Sequence, residues 1–119
     1  MTQTMEQRRA AHAWTQASAG VEQHGTDYVN TAKGLPALIM NSGLMQVMAF
    51  LQGKGGRHEV LGRHLRDWLH QTHRTPRDFQ GFMQHLMQAG PGEFQAINAE
   101  AMAWLRWLRQ VAPAVSRRA

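Results

Sequence analysis

Residues 75–90 read Thr75-Pro76-Arg77-Asp78-Phe79-Gln80-Gly81-Phe82-Met83-Gln84-His85-Leu86-Met87-Gln88-Ala89-Gly90. A capping threonine, a proline at the first helical position and an acid three residues after the cap are a helix start. Phe79, Phe82, Met83, Leu86 and Met87 then recur near the 3.6-residue period, and Gly90 stops the run. Pro91 opens the next helix, whose apolar stripe is Phe94, Ile97, Ala101, Trp104, Leu105, Leu108 and Ala112. Pro113 is expected to end it and to leave residues 113–119 as a flexible basic tail.

The same period continues toward the N-terminus. A helix over Arg57–Gln71 carries Leu61, Leu65, Trp68 and Leu69 in one stripe and turns Arg63, Arg66 and His70 the other way. Gly53-Lys54-Gly55-Gly56 reads as a flexible loop. It lacks the spacing and hydroxyl of a phosphate loop, so nucleotide binding is not expected. Leu35–Leu51 holds 12 apolar residues in 17. Pro36 and Asn41-Ser42-Gly43 break it, and a membrane span needs about 20 continuous apolar residues. It reads as a central helix pair buried all round, entered from an N-cap at Asp27. The first helix, Thr4–Gln23, has the stripe Ala10, Ala13, Trp14, Ala17 and Val21. Alternating β-branched runs are absent. The predicted fold is all-α, one compact bundle of about six helices over residues 1–112.

Composition narrows the function. The chain has 119 residues, no cysteine, and 13 Lys+Arg against 8 Asp+Glu. Thiolate chemistry and disulfides are excluded. The basic excess falls in residues 53–78 and 106–119, and 11 of the 13 cations are arginine, a donor fork suited to phosphate. His58, His64 and His70 are six apart, so their rings diverge on a helix, and no metal or cofactor is expected. No serine sits in a nucleophile elbow and no carboxylates pair, so no enzyme is expected; Glu100 reads as a surface residue. No leader opens the chain, which leaves the cytoplasm as the expected compartment. On the last helix Trp107, Met102, Arg106 and Arg109 fall off the core stripe. Either a wide core takes in Trp107, or Trp107 and Met102 anchor a protein partner.

Tyr28, Ala32-Lys33, Leu35-Pro36-Ala37-Leu38-Ile39, Gly43-Leu44, Gln46 and Ala49-Phe50-Leu51, read in order, resemble the small subunit of the Cmr complex, the type III-B CRISPR–Cas effector. The run Glu100–Arg109 resembles the end of that family, and Arg8-Arg9-Ala10 with Ala13 fits its first helix. The resemblance implies a non-catalytic helical subunit of an antiviral ribonucleoprotein. Copies of it would stack along the complex interior against repeated backbone subunits and help hold the guide–target RNA duplex, with no membrane and no small-molecule substrate. Gly34 and Met40 stand where relatives often carry bulkier or basic residues. Lys33 therefore contributes, while the RNA-binding weight moves to Lys54, Arg57, Arg63, Arg66, Arg106 and Arg109, on charge placement and helix facing. Two other readings stay open. One is a free-standing helical nucleic-acid-binding or regulatory protein that reads through Gln80, Gln84, His85 and Gln88. The other is a protein adaptor with incidental charge.

Overall fold

Local capping chemistry sets the first boundary. Thr4 Oγ1 accepts the Gln7 amide N–H at 3.1 Å and Gln7 Oε1 accepts the Thr4 N–H at 2.7 Å, a reciprocal box at the head of α1 (Met5–His24). The computed structural model describes residues 2–118, with only the backbone of Arg118, and continues through α2 (Thr26–Ser42), α3 (Leu44–Lys54), α4 (Gly56–His73), α5 (Phe79–Gln88) and α6 (Pro91–Arg118). No strand occurs among the described residues. The helices make an all-α bundle of 42 × 40 × 24 Å. At about 1.5 Å per residue, the 28-residue α6 spans the long dimension.

Several boundaries differ from expectation, each for a local reason. The loop at Gly53–Gly56 shrinks to a single residue. Gly55 turns the chain at φ 69°, and buried Leu51 and Val60 on either side hold α3 and α4 together. Gly43 does the same between α2 and α3 at φ 85°, a backbone region that costs a side-chain-bearing residue dearly. Pro36 stays inside α2, where buried Ala32, Leu35 and Ile39 keep the helix on track, and the cap of α2 is Gly25, not Asp27. The start of α5 moves three residues on, to an Asp78 cap whose Oδ2 accepts the Gly81 N–H at 2.7 Å. Residues 75–77 are drawn away from helix because their carbonyls have other partners. Arg66 Nε donates to Arg77 O at 2.7 Å, and His70 Nδ1 bonds Thr75 O at 2.9 Å.

At the other end, α6 does not stop at Pro113 but runs to Arg118. Val115 packs against the core beyond the proline and gives the last turns something to bury. Ala119 of the expected tail lies outside the described residues. The α2–α3 pair is not buried all round, because Met40 is 76% exposed and Leu38 and Phe50 also reach solvent. Trp14 and Met87 likewise lie off the buried faces of their helices.

The core gathers Tyr28, Trp68, Phe82 and Trp104 with the predicted leucines of α4 and α6. α1 and α2 approach so closely at Gly20 that a Cβ there would stand 2.3 Å from the Tyr28 ring. Three polar groups are locked into this interior. Glu100 is buried, not on the surface, and accepts two bonds from Arg9, at 2.6 and 2.9 Å, and one from Trp68 Nε1 at 2.9 Å. Burial works to raise its pKa, but the bonds from Arg9 and Trp68 outweigh this and hold it below the usual carboxylate range. His12 lies between the Trp68 and Trp104 rings. Because Trp104 Nε1 donates to His12 Nδ1, Nε2 carries the proton and donates to Asp67 at 2.8 Å. His64 Nδ1 meets the Tyr28 hydroxyl at 2.9 Å.

Candidate nucleic-acid interface

The basic residues fall into three groups that the fold treats differently. The first faces the cleft between α1, α4 and the α4–α5 connection, about 550 Å³, lined by Gln16, Arg63, His64, Arg66, Asp67, Arg77 and Asp78. Here the fold neutralises its own charge. Arg63 lies 3.8 Å and Arg66 3.7 Å from Glu59, and Arg77 lies 3.0 Å from Asp67. Burial works to raise the Asp67 pKa, but bonds from His12 and Arg77 prevail and keep it low. Arg66 is 5% exposed, which corrects its predicted outward facing. Its helix position is overlain by the 75–78 segment, whose Arg77 carbonyl it holds. Three arginines against Glu59, Asp67 and Asp78 leave little net field.

The second group lies where α3 meets α4. Lys54 Nζ stands 5.9 Å from the Phe50 ring centroid, and Phe50 meets His58 edge-on. Arg57 Nε donates to Thr31 at 3.2 Å and its Nη1 is 4.0 Å from Asp27. Burial, then the charges of Arg57 and Lys54, lower the His58 pKa, which disfavours a further cation at this junction. Lys33 is exposed on α2.

The third group is the outer face of α6. Arg106, Arg109 and Arg117 are all exposed. Positions 106, 110, 113 and 117 share a helix face, with Arg109 beside it. No ion pair engages any of these three arginines among the described residues. Trp107 is partly buried against the core and lines a cleft of about 350 Å³ with Glu6, Arg9, Ala103, Arg106 and Gln110. Met102 is 8% exposed and belongs to the core, which corrects its expected position off the core stripe. α6 is packed by α1, α2 and α4 together, so its buried arc is wider than one stripe.

Sequence reasoning missed two cations. Arg8 lies 5.9 Å over the Trp68 ring beside a second α1–α4 cleft. Arg117 was legible as a continuation of the Arg106 face, had the helix been extended through Pro113. No group of three or more His, Cys, Asp or Glu able to hold a metal ion occurs among the described residues, and no described helix is long and apolar enough to cross a membrane.

Helical packing around a tryptophan-rich core, with three exposed arginines on α6 outside any ion pair among the described residues, defines a small all-α bundle protein with a basic helix face. The profile of the family described as CRISPR-associated protein (Cas_Cmr5) matches residues 5–115. The chain belongs to that family, the small subunit of the type III-B Cmr complex. The fold is also that of a CRISPR-associated Cmr5 family protein from Thermus thermophilus, known from an X-ray crystal structure. The two share 24% identity over 96% of this chain and 98% of that one, with a TM-score of 0.82. No curated protein sequence matches the chain. Membership in the family implies assembly with the other Cmr subunits.

Proposed function

We propose that this chain is a non-catalytic, cytoplasmic subunit that stacks with further copies of itself along the interior of the Cmr ribonucleoprotein and helps hold the guide–target RNA duplex by its phosphates. The observation that carries the reading is the unpaired state of Arg106, Arg109 and Arg117 on one face of α6. Such a duplex is recognised through its backbone, so cations that neutralise phosphates suffice and no base code is needed. Lys33, Lys54 and Arg57 contribute from α2 and the α3–α4 junction. Arg63 and Arg66 do not lead, because Glu59 already faces both. The buried titratable groups support a structural role, since Glu100, His12 and His64 are each engaged by neighbouring side chains. Head-to-tail stacking of copies requires two different faces.

The test is target RNA affinity against salt in the assembled complex. Arg106→Glu, Arg109→Glu and Arg117→Glu are each expected to weaken binding and to flatten the slope of log K against log salt by about 0.7–0.9 per lost phosphate contact. Arg63→Glu is expected to change neither. Variants of Arg106, Arg109 and Arg117 that bind like the parent at every salt concentration would refute the assignment.

A further inference from the structure

Beside the arginine face, α1 and α6 enclose the cleft of Glu6, Arg9, Ala103, Arg106, Trp107 and Gln110. Its walls are planar groups. A helical side chain leans over the residue four positions before it, and for Trp107 that residue is Ala103, whose single methyl leaves the indole approachable. Across the cleft Arg9 is fixed in one plane by its two bonds to Glu100, at 2.6 and 2.9 Å. The exposed polar groups of the lining, Glu6 and Gln110, do not suit a phosphate, because the Glu6 carboxylate would repel it. They suit the edge of a base. A carboxylate accepts from an exocyclic amino group, and the Gln110 amide both donates and accepts. Arg106 belongs to the cleft and to the arginine face at once, so a strand whose phosphates follow that face passes its bases at the opening.

We propose that the Trp107 cleft receives one unpaired nucleobase of an RNA strand, stacked on the indole, with the adjoining phosphate on Arg106. The proposal rests on the reading of α6 as an RNA-contacting helix. It also sets a preference. Adenine, cytosine and guanine carry an amino group for Glu6, and uracil carries none.

The full-length chain can be titrated with a short unstructured single-stranded RNA and with the same sequence as a blunt duplex. Trp107→Ala is expected to weaken single-strand binding by about fivefold to a hundredfold, the range for loss of a base–aromatic stack, and to leave duplex binding within about twofold. Trp107→Tyr restores a stacking face and is expected to restore most of the affinity. Trp107→Leu fills the space against the core without such a face and is not. Thermal melting establishes that the tyrosine and leucine variants are folded. Full affinity in Trp107→Leu, or equal losses for single strand and duplex, overturns the base site while α6 remains an RNA face. Binding of neither RNA by the unaltered chain overturns the base site, while the RNA reading of α6 stands or falls on the salt dependence of its arginine variants in the assembled complex.

Discussion

His64 is held far from its free chemistry by its surroundings. Burial first, then the charges of Arg63 and His12, push its pKa down from 6.5 to about 4, against the opposing pull of Asp67. Burial also pushes the Tyr28 phenol upward, so a protonated hydroxyl faces a neutral imidazole. The consequence for stability has a definite sign. Above pH 6.5 the ring is neutral in both the folded and unfolded chain and contributes no pH dependence. Below it the unfolded chain takes a proton that the folded one refuses until about pH 4, so stability falls as pH drops through that window. The full effect is about 3 kcal/mol, at roughly 1.4 kcal/mol per pKa unit. Urea unfolding across this range should show the parent losing stability more steeply than His64→Gln, which costs about 1 kcal/mol at neutral pH and lacks the titration. Parallel curves would sink the account. None of this was legible in the sequence. Histidine spacing there argued against a metal, but burial depends on Tyr28, which lies 36 residues away.

Helices were the most legible level, because caps and apolar periodicity are local. The stripes over 57–71 and 91–112 return as the buried faces of α4 and α6. The failures came where tertiary packing overrode a local signal: the 75–78 cap, the glycine loop and the proline stop. Pro113 is the instructive case. It offers no N–H to the Arg109 carbonyl and crowds the preceding turn, yet Ala112 and Val115 pack on either side of it and the helix goes on. Pro113→Ala should therefore stabilise the protein. The recovered bond and relieved clash are bounded at about 3 kcal/mol. Greater freedom of the unfolded chain offsets about 0.4–1 kcal/mol of that. A net gain of about 1–2 kcal/mol is expected in chemical denaturation, with a small rise in far-ultraviolet helical signal. A loss of stability would mean that the last turns are not held as helix. The matter bears on function, since Arg117 joins the arginine face only if the helix continues.

At the scale of the whole molecule, charge and burial are decided by contacts no linear reading supplies. Residues 53–78 carry a net excess of basic charge in the sequence, yet most of their arginines face acids in the fold, while Arg106, Arg109 and Arg117 of α6 enter no ion pair among the described residues. Glu100 shows the same lesson in the interior. It joins α6 to α1 through Arg9, 91 residues away, and to α4 through Trp68. Three helices, including the one that carries the arginine face, thus meet at one carboxylate. Removing Arg9 alone strands that carboxylate beside an indole donor. Breaking one side of a buried pair costs about 3–5 kcal/mol. Because the Arg9 side chain is 24% exposed, water relieves part of this and Arg9→Ala should fall at the low end of that range. Arg9→Met combined with Glu100→Gln removes both charges, fills the arginine's volume and keeps an oxygen for Trp68. That double variant should cost less than Arg9→Ala alone, which a double-mutant cycle in urea measures directly. If instead the costs of the two substitutions simply add, the carboxylate is not the junction of α1, α4 and α6, and the rigidity of the α6 face must come from apolar packing alone.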